Sequence, residues 1–343
     1  MPRVSADGLA SDFGWSVSLT DHVGSIALSP DGERVAAVGT TGPIAIIAIA
    51  DGEVITTIDA HASAATTIAW NPRTGFLASG GQDGKVNEWS AEGAPRWSTL
   101  VQTAWVEALT WDRQGRNLAA ASGRSLAMLD ADGATRWSAD DDVSTITDLA
   151  WHPEGNALAS IAYGGIALRE ATGPNPTRRV AWTGSGLCLA WSPDGRFIAA
   201  GDQDATVYII FAKTGRKLQM WGFPRKVREL AWNRSGRWLA TGGGDTPTVW
   251  DTSGKNGPEG RAPISLEGHE GTVRALAWSP TDDILASGCD DGIVHLWSPS
   301  SREDPVATVE LSDAITAISW LLNGSGLLIG DADGELRFLD LRR

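Results

Sequence analysis

The sequence predicts an all-β fold built from repeats, and both composition and pattern indicate it. The 343-residue chain contains 40 glycines, 16 prolines and 17 tryptophans. Its apolar runs are short and are broken by Gly, Asp and Pro, which is typical of strands joined by tight turns. No amphipathic helical stretch occurs in it. A motif of about forty residues also recurs eight times along the chain, which is typical of a repeat architecture.

Each repeat begins with an apolar triplet that ends in an anchor residue, and a turn, an apolar strand, an Asp/Gly turn and an alternating strand follow. The anchors are Leu28, Trp70, Trp111, Trp151, Trp191, Trp232, Trp278 and Trp320. Successive anchors are 40 to 42 residues apart, except that 46 residues separate Trp232 from Trp278. The extra residues lie in the Gly/Pro-rich stretch 251–264, which we expect to form a loop.

The fifth repeat shows how each unit is expected to fold. Pro193 and Gly195 occupy the second and fourth positions of a Ser-Pro-Asp-Gly sequence, a pattern that favours a type I turn between two antiparallel strands. The turn at 201–204 leads to a third strand at 206–211, and residues 217–222 supply a fourth. Four such strands in each of eight repeats predict an eight-bladed β-propeller of four-stranded antiparallel blades.

The second and seventh repeats carry motifs that resemble those of the WD-repeat (WD40) family. A histidine, a serine, an aspartate and a tryptophan recur in them at identical spacing, as His61, Ser79, Asp83 and Trp89 and as His269, Ser287, Asp291 and Trp297. The resemblance implies that each set is a hydrogen-bonded tetrad that stabilises one blade. At the end of the third strand, the Trp-Asp dipeptide of the family occurs only at Trp250-Asp251, so most blades are expected to lack the tetrad.

The eighth repeat supplies three strands, and the N-terminal segment is predicted to provide its fourth. Residues 13–20 contain a Trp-Ser pair like those that open the fourth strands at Trp97 and Trp137. We therefore predict that this segment forms the outer strand of the last blade and closes the ring, which removes an exposed sheet edge. The prediction makes 13–343 a single propeller domain and 1–12 a flexible tail.

Charge and cysteine content narrow the function. The 42 acidic and 28 basic residues give a net charge of −14, which disfavours binding to nucleic acid or to an anionic membrane. Cys188 and Cys289 are too few for a disulfide framework and lack the spacing of a zinc site, so we expect neither a metal nor a cofactor. Because the first residues lack the apolar run of a signal peptide and no apolar stretch is long enough to span a bilayer, we expect a cytoplasmic, monomeric protein.

No sequence motif indicates catalysis. The five histidines fall in the tetrads or at positions explained by packing or solvent, and no hydrolase elbow, phosphate-binding loop or HExxH motif is present. The first strands end in sequences such as Leu-Ala-Trp, so the wall of the central channel is expected to be mostly small and apolar. We predict that the chain is not an enzyme and has no catalytic residue. The alternative from another class is a lyase or hydrolase with its site in the central channel.

Two loops between blades carry residues that a turn does not require. Aromatic and arginine side chains dominate binding hot spots, and the candidate partner-binding residues are Trp105, Glu107, Phe223, Pro224, Arg225, Lys226, Arg228 and Arg274. We predict a rigid scaffold that binds a protein or peptide on its loop face, with Phe223 as an apolar anchor. Recognition of an acidic or phosphorylated ligand by the basic residues is a compatible alternative. The acidic run 140–142 is expected to face solvent.

Overall fold

The computed structural model of the protein describes residues 13–39, 41–140, 142–301 and 304–342. These segments contain 30 strands and no helix. The prediction of a flexible tail at 1–12 falls outside the described residues. The first strand, β1 (Phe13–Ser18), belongs to the last sheet of the ring.

The first three repeats each form a four-stranded antiparallel sheet. The first sheet contains β2 (Ser25–Leu28), β3 (Arg34–Val38), β4 (Ile44–Ala48) and β5 (Val54–Ile58). The second contains β6 (Ala65–Trp70), β7 (Leu77–Gly81), β8 (Lys85–Trp89) and β9 (Pro95–Leu100). The third contains β10 (Val106–Trp111), β11 (Asn117–Ser122), β12 (Ser125–Asp130) and β13 (Thr135–Ala139).

The remaining repeats form one larger sheet and three sheets of four strands. The larger sheet contains β14 (Asp148–Trp151), β15 (Ala157–Glu170), β16 (Pro176–Trp191), β17 (Phe197–Asp202), β18 (Val207–Phe211) and β19 (Lys217–Met220). The next contains β20 (Leu230–Trp232), β21 (Trp238–Thr241), β22 (Thr248–Asp251) and β23 (Ile264–Ser265). The seventh repeat contributes β24 (Val273–Trp278), β25 (Leu285–Cys289), β26 (Ile293–Trp297) and β27 (Ala307–Glu310). The last sheet contains β28 (Ile315–Trp320), β29 (Gly326–Asp331), β30 (Glu335–Asp340) and β1.

The prediction of eight four-stranded blades is wrong, because the described strands form seven sheets and hence seven blades. The fourth and fifth repeats share the six-stranded sheet, in which β15 and β16 are 14 and 16 residues long. β16 pairs with β15 along its first half and with β17 along its second half. Gly165 and Gly184 have φ angles of 130° and 146°, which other residues rarely adopt. A glycine at these positions suggests a turn in the sequence, but β15 continues through Gly165 and β16 through Gly184.

The first strands of the repeats surround a central channel in chain order. Neighbouring first strands contact one another around a closed ring, in the order β2, β6, β10, β14, the second half of β16, β20, β24, β28 and again β2. β1 pairs with β30 as the outer strand of the last sheet, with Trp15 opposite Phe338 and Val17 opposite Leu336. The last sheet is therefore built from both ends of the described chain.

The anchor tryptophans link each repeat to the one before it. Their indole N–H groups donate to carbonyl oxygens of the preceding first strand over 2.9 to 3.2 Å, in the pairs Trp70–Ala27, Trp151–Thr110, Trp191–Ala150, Trp232–Ala190, Trp278–Ala231 and Trp320–Ala277. Trp111 is the exception, because its indole nitrogen has no hydrogen-bond partner among the described residues. Since a buried indole N–H needs an acceptor, these bonds explain why tryptophan recurs at the anchor position.

The recurring Trp-Ser pairs make a second set of links at the outer strands. Their indole N–H groups donate to carbonyl oxygens of the following repeat over 2.8 to 3.2 Å, in the pairs Trp15–Ile49, Trp97–Ala131 and Trp137–Ala171. In the next repeat Arg178 Nη1 makes the corresponding bond, to Ala212 O at 2.6 Å. Neighbouring sheets are thus fastened at the channel and again at the rim.

Candidate functional site

One end of the propeller is formed by the loops that enter each first strand and by the Asp/Gly turns, and we call it the loop face. Loops and turns of this face are hydrogen-bonded to each other. For example, Ile146 N donates to Gly123 O at 2.8 Å and Val227 N donates to Asp202 O at 3.2 Å. Side chains on the loop face are therefore carried by a rigid backbone, which suits a binding surface.

The basic loop, residues 221–229, is the most positively charged segment of the loop face. Its backbone is held by Arg225 N, which donates to Gly243 O at 2.8 Å, and by fully buried Val227. The side chains of Arg225 and Lys226 are exposed and have no hydrogen bond or ion pair within the described residues. Pro224 is exposed and packs on Gly244, where an added Cβ would lie 2.6 Å from its ring.

Arg228 and Arg274 lie at the mouth of the channel, apart from Arg225 and Lys226. With Glu229 and Asp290 they line a cavity of about 660 Å³. Arg274 donates to both carboxylate oxygens of Asp290, at 2.6 and 2.8 Å, so its charge is already paired. Burial raises the pKa of Glu229, although backbone amides and nearby Arg274 oppose the shift. The positive potential of the site therefore comes mainly from the three basic residues of the basic loop.

Phe223 does not have the free surface that an anchor for a partner needs. Its half-buried ring lies 6.4 Å from the ring of Trp250 and packs against the core between the fifth and sixth repeats. Trp221, in contrast, is 76% exposed. The exposed aromatic side chain of the basic loop is thus Trp221.

The structure does not bring Trp105 and Glu107 together with the basic loop. Trp105 is 52% exposed in the loop before β10, and Glu107 lies on β10 at a bulge between Val106 and Ala108. Partial burial raises the pKa of the Glu107 carboxyl. Both residues belong to the third repeat, whereas the basic loop enters the sixth repeat, so the predicted binding residues form two separate groups on the loop face.

The channel wall is more polar than its sequence suggested. Asp148, Cys188 and Glu229 each stand immediately before a Leu-Ala-Trp sequence, a signal that was visible in the repeats. Asp148 accepts hydrogen bonds from the backbone N–H groups of Leu149 and Leu189, each at 2.8 Å, and burial raises its pKa to about 6. Cys188 Sγ donates to Val227 O at 3.5 Å, and burial raises the pKa of its thiol.

These channel groups do not form a catalytic constellation. A nucleophile needs an adjacent base and a group that orients the base. The carboxylate of Asp148 instead accepts backbone hydrogen bonds from its own strand and the neighbouring one, and the Cys188 thiol bonds a backbone carbonyl oxygen of the next repeat. Their observed contacts join each first strand to the following repeat, so the alternative of an enzyme site in the channel gains no support.

The side chains of the second-repeat tetrad are joined by hydrogen bonds. His61 lies 2.9 Å from both Asp83 Oδ1 and Ser79 Oγ through its two ring nitrogens, and the Trp89 N–H donates to Ser79 Oγ at 3.0 Å. Burial lowers the pKa of His61 despite the neighbouring carboxylate. The tetrad is therefore built around a neutral imidazole, and its role in stability stays a prediction.

The seventh-repeat tetrad is looser at one contact. His269 Nε2 lies 2.7 Å from Ser287 Oγ, but His269 Nδ1 is 3.5 Å from Asp291 Oδ2. Cys289 explains the difference, because the corresponding residue of the second repeat is Gly81, where an added Cβ would lie 2.3 Å from the His61 ring. The thiol side chain thus occupies space that the histidine has in the second repeat. Burial lowers the pKa of His269 to about 4.

His269, Cys289 and Asp291 are also the one group of His, Cys and acidic side chains in the described chain whose ligand atoms are close enough to hold a metal ion. The Asp291 oxygens already accept hydrogen bonds from the backbone N–H groups of Glu270 and Ile293. His269 Nε2 is engaged with Ser287. These contacts belong to the tetrad and give no separate indication of a metal.

Asp142 is not solvent-facing, contrary to the expectation for the acidic run. It is 7% exposed and forms ion pairs with Arg169 at 3.3 Å and with Arg179 at 3.0 Å. Fully buried Arg169 also donates to Ser160 Oγ at 2.9 Å. Asp142 precedes Ser160 by the same 18 residues that separate His61 from Ser79. The fourth repeat therefore replaces the tetrad with a buried ion pair.

The described residues contain no helix with the length and apolar character that crossing a membrane requires.

Comparison with known proteins identifies repeats of one type. The family model described as "WD domain, G-beta repeat" matches residues 52–90, 180–210, 217–251 and 260–298. In structure, the chain is similar to the computationally designed Ika8 protein, with a TM-score of 0.81 and 20% identity. It is also similar to the C-terminal WD40 domain of Sif2, with a TM-score of 0.80 and 16% identity. Each comparison covers 94% of this chain and 97% of the other, and shows the fold alone.

Three curated relatives are similar to parts of the chain. The THO complex subunit 3 of Arabidopsis thaliana is 33% identical over 36% of this chain and 39% of its own length. The protein transport protein SEC13 of Phaeosphaeria nodorum is 34% identical over 33% of this chain and 39% of its own. The Arabidopsis "Cell division cycle 20.1, cofactor of APC complex" is 31% identical over 42% of this chain and 33% of its own. The matches thus span less than half of the length of each relative. None of the three names is that of an enzyme, in agreement with the prediction of a non-catalytic protein.

Proposed function

Because the chain belongs to the WD-repeat family and folds as a β-propeller, we propose that it is a non-catalytic scaffold that binds an acidic or phosphorylated segment of a protein partner on its loop face. The names of two relatives support a role in assembly, since one is a subunit of the THO complex and another is a cofactor of the APC complex. The partner segment docks on the basic loop.

The observation that carries this proposal is the pair of exposed cations at Arg225 and Lys226. The chain has a net charge of −14, yet neither side chain is paired with a carboxylate within the described residues. Carboxylate and phosphate groups of a partner supply the missing charge, and an arginine can bind either with two parallel hydrogen bonds. Arg228 extends the positive surface toward the channel mouth, while Arg274 is held by Asp290.

Charge reversal on the basic loop tests the proposal. Arg225→Glu combined with Lys226→Glu should abolish capture of the partner from cells of the source organism, read by mass spectrometry. The matched control is Lys213→Glu combined with Arg234→Glu, which makes the same change in net charge at exposed positions on the opposite face. Neither double variant should shift the melting temperature, because all four side chains are exposed.

Salt should weaken the wild-type interaction, because the Debye length falls from ~10 Å at 0.1 M to ~3 Å at 1 M. The control variant should retrieve the same proteins as the wild type. Retrieval of that same set by the basic-loop variant would place the binding site elsewhere, with the surface around Trp105 as the next candidate.

A further inference from the structure

Trp221 lies beside an apolar groove on the side of the propeller. The groove has a volume of about 320 Å³, and Met220, Trp250 and Pro258 line it together with Trp221. Trp221 is 76% exposed, as much as any large hydrophobic residue of the described chain. An exposed tryptophan next to an apolar groove is typical of a binding site, because aromatic side chains bury a large area at a modest entropic cost.

The groove exists because the outer strand of the sixth repeat is short. β23 contains two residues, and it pairs only with Thr248 and Val249 of β22. Trp250 and Asp251 therefore have no outer-strand neighbour, and the adjoining insertion 252–263 supplies Pro258 as one wall. The other outer strands contain four residues or more, so the sixth repeat differs in this respect.

The groove is continuous with the basic loop. Trp221 is itself the first residue of that loop. Phe223 connects the two regions because its ring packs beside that of Trp250, with ring centroids 6.4 Å apart. Glu259, at the far side of the groove, is paired with Arg216 at 2.6 Å, so its charge is offset. An acidic segment on Arg225 and Lys226 can thus extend past Trp221 without meeting an unpaired carboxylate among the groove residues.

We infer that this groove binds an apolar side chain of the same acidic segment, with Trp221 as the anchor that the sequence assigned to Phe223. The inference rests on the proposed function, because the acidic residues of the segment are what place it beside the groove. The partner is thus a peptide segment in which Asp or Glu residues lie next to a Leu, Ile, Phe or Met. The charged contacts orient this segment on the basic loop, and the groove buries its apolar side chain.

Selection from a display library of random linear peptides tests this inference. Peptides enriched on the wild-type protein should carry acidic residues next to a large apolar residue. On Trp221→Ala the acidic enrichment should persist and the apolar preference should disappear. On the double variant Arg225→Glu, Lys226→Glu the acidic enrichment should disappear. A synthetic copy of the most enriched wild-type peptide should bind Trp221→Ala about tenfold more weakly or worse.

The control is Leu322→Ala, which removes a 53% exposed apolar side chain from the opposite face. It should leave selection and affinity unchanged, and the melting temperatures of all variants should match the wild type. Acidic enrichment without an apolar preference overturns the groove inference and leaves the proposed function in place. Absence of any acidic enrichment on the wild type overturns both.

Discussion

Asp148 places a carboxylate on the first strand of the fourth repeat, where the corresponding residues of the seventh and eighth repeats are Ala275 and Ala317. The carboxylate accepts hydrogen bonds from two backbone N–H groups, which favour its charged form. Burial disfavours the charged form more strongly, so the pKa of Asp148 rises to about 6. The polar residue thus joins two first strands but makes folding sensitive to pH.

Removal of this titratable group should change how stability depends on pH. The folded-state pKa lies above the ordinary value of 3.8, so protonation favours the folded state, and the burial cost is largest above pH 6 and vanishes as the pH falls toward 4. When the pH is lowered from about 7.5 to about 4.5, the unfolding free energy of the wild type should therefore rise by about 2 kcal/mol relative to that of Asp148→Asn. Urea titrations of both proteins at a series of pH values measure this difference in unfolding free energy.

Exposed Glu310 on β27 provides the control for loss of one negative charge. Glu310→Gln should run parallel to the wild type across the same pH range. A constant difference between the wild type and Asp148→Asn would show that Asp148 does not titrate in this range.

The first strand is the element that repeats most faithfully, and its anchor tryptophan connects neighbouring sheets. Trp70 and Trp111 are matched in this respect, since each is 7% exposed at the end of a first strand. They differ in one bond, because Trp70 donates to Ala27 O at 2.9 Å and Trp111 Nε1 has no partner in the described structure.

Phenylalanine at each position should separate the hydrogen bond from the packing. Trp70→Phe loses both, whereas Trp111→Phe loses packing and removes an unpaired buried N–H. We expect Trp70→Phe to lower the unfolding free energy by about 1 kcal/mol more than Trp111→Phe. Chemical denaturation of both variants measures the difference, and equal losses would mean that the indole hydrogen bond contributes nothing net.

Strands and their order were predictable from the sequence, because turn residues and alternation mark them repeat by repeat. The boundary between the fourth and fifth repeats was not. Gly165 and Gly184 suggest breaks in the sequence, but their positive φ angles occur within continuous strands, so two repeats share one sheet. The same glycine can end a strand or continue it, and only the pairing of distant segments decides which.

Across the whole molecule, composition identified the basic loop but not its contacts. Arg225 and Lys226 are exposed, whereas Arg274 pairs with Asp290 and Phe223 packs on Trp250. Those partners lie on other strands or turns of the fold, so local sequence could not assign them. The groove beside Trp221 depends on the length of a strand more than forty residues further along the chain.

Closure of the ring is the property of the whole molecule that one truncation can test. β1 covers the outer edge of β30, and its Trp15 packs on Phe338 with ring centroids 5.8 Å apart and donates to Ile49 O at 2.8 Å. Removal of residues 1–20 exposes the outer edge of the last sheet and also removes the hydrogen bond from Trp15 that links it to the first sheet. We expect a lower melting temperature together with concentration-dependent association, since an unpaired edge strand pairs readily with another chain.

Truncation of residues 1–12 is the matched control, because it leaves β1 in place. This shorter variant should keep the melting temperature and the sedimentation behaviour of the full chain. If the variant that lacks residues 1–20 also keeps the sedimentation behaviour and the melting temperature of the full chain, pairing of β1 with β30 does not hold the ring together. In that case the contacts of β28 with β2 and with the loop before it, including the bond from Thr316 Oγ1 to Val23 O at 2.6 Å, are sufficient for closure.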